Sequence, residues 1–97
     1  MSNTDQLPIP EPARKDPESF ELLRVWIAHK GQHVSLLADM WDDPAAWGIL
    51  LADLAQHVAN AYHDQKGFDR AKTLERIKAG LDVELNSPTD SASGKVQ

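Results

Sequence analysis

The stretch of sequence that decides the fold is residues 21–62, which read ELLRVWIAHKGQHVSLLADMWDDPAAWGILLADLAQHVANAY. Its apolar residues first recur at every second position and then, beyond Asp42-Asp43-Pro44, at steps of three and four. A period of two is typical of a strand, and a period of 3.6 is typical of a helix. The stretch therefore predicts a β-hairpin that leads into an α-helix.

The hairpin is predicted from two alternating segments on either side of His29-Lys30-Gly31-Gln32. A turn at Lys30-Gly31, with the glycine at a positive φ, would pair Ile27 with Val34 and Val25 with Leu36. One face of the hairpin is then entirely aliphatic, and it comprises Leu23, Val25, Ile27, Val34 and Leu36. The opposite face mixes apolar with polar side chains, namely Leu22, Trp26 and Leu37 with Arg24, His33 and Ser35.

Two helices are predicted after the hairpin. Asp43-Pro44 indicates the start of the first, because an aspartate can accept from free amides and proline is tolerated at the first helical position. It should end near Gln65, before Gly67, and a second helix should run from an Asp69 cap to about Leu85. One stripe of the first helix is expected to be buried, and it comprises Trp47, Leu50, Leu51, Leu54, Val58, Ala61 and Tyr62. Beside it lies a row of small residues, Gly48, Ala52, Ala55 and Ala59, which would let the second helix approach closely.

Together these elements predict an α+β fold of ββαα order, in which a two-stranded antiparallel β-hairpin packs on two α-helices. The chain divides into three parts. Residues 1–17 contain four prolines and are expected to form a flexible arm, residues 18–86 a single domain, and residues 87–97 a disordered polar tail. The arm could also cover the domain surface with Leu7 and Ile9, which alternate with its prolines.

Composition disfavours several classes of function. The 97 residues carry a net charge of −5, with ten basic residues scattered among fifteen acids, so binding to nucleic acid is disfavoured. Without cysteine, the chain has neither a disulfide framework nor a thiolate site. Residues 1–12 show no basic segment followed by an apolar run, and no later segment approaches eighteen uncharged apolar residues. We therefore expect a cytoplasmic protein with no membrane association.

The histidines do not predict a metal site. His29 and His33 fall on opposite faces of the hairpin, and His57 and His63 on different sides of the first helix. Ser35 and His33 lie on one face of a strand, but no nucleophile elbow surrounds the serine. The sequence thus predicts no metal, no cofactor and no enzymatic activity.

Acidic residues crowd the start of the first helix. Asp43 is explained as its cap, whereas Asp39 and Asp42 leave open an acidic docking site or a weak cation site.

The segment WDDPAAWGILLADLAQHVANAY, preceded by GQHVSL and followed at a distance by SPTD, resembles a family of short bacterial proteins known as domain of unknown function 5076. The resemblance extends over residues 22–90, and its most specific part is Trp41-Asp42-Asp43-Pro44-Ala45-Ala46-Trp47-Gly48. It implies a compact α+β domain. Because the family has no established activity, it assigns no functional residue.

Two functional hypotheses remain open. The favoured one is a non-enzymatic protein-interaction or scaffold domain that acts as a homodimer, since a lone hairpin is marginal in water and has two free edges. Its interface is predicted on the mixed face, and the residues are Leu22, Arg24, Trp26 and Leu37. The alternative is a small-ligand-binding domain or minor enzyme with a pocket between hairpin and first helix, lined by Trp47, His57 and Tyr62.

Overall fold

The computed structural model describes residues 5–87. Its elements are α1 (Glu11–Lys15), β1 (Leu23–Ala28), β2 (Gly31–Leu36), α2 (Ala45–Lys66) and α3 (Arg70–Asn86). The hairpin followed by two long helices confirms the predicted α+β fold of ββαα order. Apart from Ser87, the predicted tail lies outside the described residues.

The short helix α1 lies within the predicted arm and was not predicted. Its first turn tolerates Pro12, and Glu11 forms ion pairs with Arg14 and Lys15, at 3.8 and 3.0 Å. The Ser19 hydroxyl donates to the Ala13 carbonyl oxygen at 2.6 Å, which ties the segment after the helix back to it. Local polar contacts therefore order residues that the prolines alone would leave extended.

The hairpin turn consists of His29 and Lys30, whose φ angles are 51° and 63°. Positive φ at both central residues is what a type I′ turn requires, and such a turn matches the twist of the flanking strands. Val25 consequently pairs with Val34, and Ile27 with Gln32. The predicted turn at Lys30-Gly31 and its pairings are wrong, because the turn lies one residue earlier. Since every partner shifts by two positions, the composition of the two faces is unchanged.

The start of α2 is organised by Asp43. Its carboxylate accepts from the Ala45 amide at 2.9 Å, and its carbonyl oxygen accepts from the Ala46 amide at 3.1 Å. Pro44 already has helical angles, with φ −58° and ψ −17°. The predicted capping role of Asp43 is confirmed.

The turn between α2 and α3 is equally well specified. Gly67 ends α2 in the left-handed region, with φ 73°, and its amide donates to the His63 carbonyl oxygen at 2.9 Å. Asp69 then caps α3 by accepting from the Lys72 amide at 2.9 Å. The Arg70 Nε donates to the Asn60 Oδ1 at 3.1 Å, which links the start of α3 to α2. The turn therefore places α3 alongside α2.

Packing between the helices is closest near this turn. Ala59 on α2 is 2% exposed, and Thr73 on α3 is buried with its hydroxyl donating to the Asp69 carbonyl oxygen. Of the row of small residues, Ala55 is half-buried, whereas Gly48 and Ala52 are exposed. Close approach therefore involves only the part of the row nearest the turn.

The hairpin and the helices do not enclose a large common core. Among the described residues, β1 contacts β2 and α2 contacts α3, but no Cα atom of either helix lies within 8 Å of a strand Cα atom. On the aliphatic face Val25 is 51% and Ile27 69% exposed. The Cα radius of gyration is 15.6 Å, against about 12 Å for a compact domain of this length. The aliphatic face, which we expected the helices to bury, is thus exposed at Val25 and Ile27.

Candidate functional site

The four residues of the predicted interface lie on one face of the hairpin. The Leu37 amide donates to the Leu22 carbonyl oxygen at 3.1 Å, which extends the pairing by one residue of each strand at the open end of the hairpin. Arg24 then lies opposite Ser35, and Trp26 opposite His33. Side chains at alternate positions of a strand point to the same side of a sheet. We call the surface formed by Leu22, Arg24, Trp26 and Leu37 the tryptophan face.

Burial differs between the members of the tryptophan face. Trp26 and Leu22 are half-buried, whereas Leu37 is 41% exposed. Arg24 forms an ion pair with Glu21 at 3.0 Å and donates through Nε to both carboxylate oxygens of Glu21. This exposed pair contributes little to stability but keeps the guanidinium at the edge of the surface.

A second candidate surface is an open cleft of about 600 Å³ between α2 and α3. Its apolar wall combines side chains from α2, the connecting turn and α3, namely Val58, Tyr62, Phe68 and Ile77. Tyr62 and Phe68 are in contact, with ring centroids 5.5 Å apart. Lys72 and Arg76 also line the cleft, four residues apart on one side of α3. We call this region the helix cleft.

A third cation lies beside the helix cleft. The Lys66 ammonium is 5.2 Å from the centre of the Tyr62 ring and 6.0 Å from that of Phe68. Both distances are within the range of cation–π attraction. The acid in this region, Asp69, accepts from the Lys72 amide as the cap of α3. The cleft thus offers an apolar wall next to positive charge.

The predicted ligand-pocket residues do not converge. Trp47 lies in the first turn of α2 and contacts Trp41 edge-on, with centroids 5.3 Å apart. His57 is exposed, and Tyr62 lines the helix cleft. At about 1.5 Å per helical residue, Trp47 and Tyr62 are separated by roughly 22 Å along α2. Of the three residues, the helix cleft contains only Tyr62.

Two histidines have local structural roles. His33 Nε2 is 3.0 Å from the Ala28 carbonyl oxygen beside the hairpin turn, and His63 Nδ1 is 2.9 Å from the Phe68 carbonyl oxygen after α2. Between residues 5 and 87, no three histidine or acidic side chains are placed to hold a metal ion. Within the same range, no helix is long and apolar enough to cross a membrane.

Sequence reasoning missed the helix cleft because its wall is assembled from three segments. Phe68 follows the helix-ending Gly67 and belongs to no periodic pattern, so only its closeness to Tyr62 could have indicated its role. Lys72 and Arg76 are four residues apart, and this spacing is common on the solvent-exposed side of any helix.

The sequence profile of a known family matches residues 6–89, which is most of the chain. That family is described as domain of unknown function DUF5076. The chain belongs to it. No curated protein matches this member of the DUF5076 family.

A solved structure resembles the DUF5076 chain over nearly its whole length. It is named "putative pyruvate dehydrogenase" and comes from the photosynthetic bacterium Rhodopseudomonas palustrus CGA009. The two chains are 32% identical, with a TM-score of 0.73, and the match covers 95% of this chain and 94% of the other. Similarity over both full lengths means that the ββαα arrangement is shared as a whole.

Proposed function

We propose that this protein is a non-enzymatic protein-interaction or scaffold domain that acts as a homodimer in the bacterial cytoplasm. The observation that carries this proposal is the exposure of apolar side chains on both halves of the fold. Val25 and Ile27 on β1 and Leu51 and Leu54 on α2 are between 46% and 69% exposed. Association of two copies would remove apolar side chains of this kind from water.

Size supports association as the source of stability. A domain of about 80 residues buries only about 60–65% of its unfolded surface even when compact, so it has little stability to spare. Ala59, 2% exposed, is the one buried apolar residue in the described part of the chain. A second copy would supply the apolar contacts that a single copy lacks.

We infer that the tryptophan face forms part of the dimer interface, in addition to the exposed Val25 and Ile27 on the other side of the hairpin. Aromatic and arginine side chains are enriched at interfaces, and here Trp26 shares one face of the hairpin with Arg24 and two leucines. Arg24 is held by Glu21 at the edge, where a charge can remain hydrated.

Sedimentation equilibrium on the full chain tests the proposal. We expect the wild-type chain to dimerise and Trp26→Lys to shift the equilibrium towards monomer, while Lys30→Glu, a charge change in the exposed hairpin turn, leaves it unchanged. A wild-type chain that stays monomeric at high concentration would reject the homodimer.

The second candidate function is the binding of a small apolar anion in the helix cleft. Its volume is within the range of ligand sites, and Tyr62 and Phe68 adjoin Lys72 and Arg76. The probe 8-anilinonaphthalene-1-sulfonate has the required chemistry. We expect Arg76→Glu to weaken its binding and Lys78→Glu, outside the cleft lining, to leave binding unchanged; equal binding by all three proteins would reject this candidate.

The enzyme name of the similar structure does not alter the proposal. Dehydrogenation needs groups that bind a substrate and accept electrons and a proton at one place. Here Asp43 and Asp69 cap helices, His33 and His63 contact backbone carbonyl oxygens beside turns, and Arg70 forms an exposed ion pair with Asp64. Our proposal therefore rests on the surfaces of this chain.

A further inference from the structure

We propose that residues 5–10 of one copy bind in the helix cleft of a second copy. This inference rests on the proposed homodimer and identifies a contact that the tryptophan face does not include. It concerns two surfaces that are both open in a single chain.

The first argument is chemical complementarity. Residues 5–10 read DQLPIP, and their apolar side chains are highly exposed, Leu7 at 91% and Ile9 at 62%. The helix cleft presents aromatic and aliphatic side chains to such a segment, and its cations Lys66, Lys72 and Arg76 can attract Asp5. Proline-rich segments commonly dock in grooves lined by aromatic rings.

The second argument is preorganisation. Pro10 has φ −56° and ψ 142°, which are polyproline II angles, and Pro8 restricts the same segment. Pro10 is followed directly by α1, and the Ser19 hydroxyl donates a hydrogen bond to the Ala13 carbonyl oxygen of that helix. A segment in which two prolines already restrict the φ angles loses less conformational entropy on binding.

The third argument identifies the occupant. α1 has no close neighbour among the other described elements, and Leu7 is almost fully exposed, so residues 5–10 do not occupy the cleft of their own chain. A second copy carries both the same segment and the same cleft. Reciprocal exchange around a two-fold axis would therefore fill both clefts at once.

Disulfide trapping tests this contact directly, because the chain contains no cysteine of its own. A chain with Ile9→Cys is mixed with a chain carrying Lys72→Cys under a mild oxidant, and linked pairs are measured by mass. The matched control replaces the second chain by one with Asp53→Cys, an exposed position on α2 outside the cleft lining. We expect the first mixture to link at least about tenfold faster than the control.

Equal rates in the two mixtures would overturn the inference. It would also be overturned if a chain carrying both Ile9→Cys and Lys72→Cys closed on itself and kept the mass of a monomer, since the segment would then occupy its own cleft.

Sedimentation equilibrium separates this inference from the proposed function. We expect Leu7→Ser/Ile9→Ser to raise the dimer dissociation constant by at least about tenfold, while Gln6→Ser leaves it unchanged. A dimer of unchanged affinity in the double variant would overturn the arm contact and leave the homodimer standing. A wild-type chain that never dimerises would overturn both.

Discussion

Single side chains determine where the elements of this fold begin and end. Asp43 and Asp69 each accept from a backbone amide in the first turn of a long helix, at 2.9 Å in both cases. Gly67 adopts the left-handed angles that end α2. These roles depend on neighbours only a few residues away, which is why they are predictable from the sequence.

Loss of the Asp43 carboxylate should therefore destabilise the protein. We expect Asp43→Ala to lower the free energy of unfolding by about 1 kcal/mol, because the Ala45 amide loses its acceptor. Asp39→Ala is the matched control and should have a much smaller effect. Urea unfolding measures both, and equal shifts of the two midpoints would contradict the capping role.

The hairpin turn offers a change in the opposite direction. His29 and Lys30 both have positive φ, which costs a residue with a side chain about 1–2 kcal/mol relative to its ordinary conformations. Lys30→Gly should therefore stabilise the protein by about 0.5–1 kcal/mol, even after the greater entropy loss of glycine. Gln32→Gly, within β2, should destabilise it. A lower urea midpoint for Lys30→Gly would contradict the turn geometry.

At the level of elements, periodic patterns predicted the two strands and two long helices because each pattern is local. The row of small residues predicted close helix packing but not its extent. Ala59 is 2% exposed, whereas Ala52, which shares the same pattern, is exposed. The length over which two helices remain in contact depends on the crossing angle between their axes. The residue pattern of one helix does not determine that angle.

Helix packing can be tested at Ala59. We expect Ala59→Leu to destabilise the protein by about 1–3 kcal/mol, because no space is left beside a residue this buried. Ile49→Ala, at a position 66% exposed, should change thermal stability much less. If Ile49→Ala proves the more damaging change, its side chain is covered by another molecule.

At the level of the whole molecule, the two helices were expected to cover the aliphatic face of the hairpin. The aliphatic face of the hairpin was correctly identified, but Val25 and Ile27 remain exposed instead of meeting the helices. Hydrophobic periodicity indicates which face is apolar and says nothing about which molecule covers it. The helix cleft was missed for the related reason that it exists only once α2, the turn and α3 are assembled.

Thermal stability should depend on protein concentration if a second copy completes the core. We expect the unfolding midpoint of the full chain to rise between about 1 and 100 μM, because mass action favours the associated state. Trp26→Lys should flatten this dependence. A midpoint that is constant across the range for the wild-type chain would contradict coupling between folding and association.

The fold consists of two pairs of elements, β1 with β2 and α2 with α3, and the members of each pair follow one another in the sequence. This arrangement has a consequence for folding kinetics. β1 and β2 are joined by a two-residue turn, and α2 and α3 by Gly67 to Asp69, so each pair can form without a long search. Hairpins form in about 1–10 μs and helices faster. The slow step in refolding should then be the encounter of two chains, and dilution should slow the final phase while leaving the early gain of secondary structure unchanged.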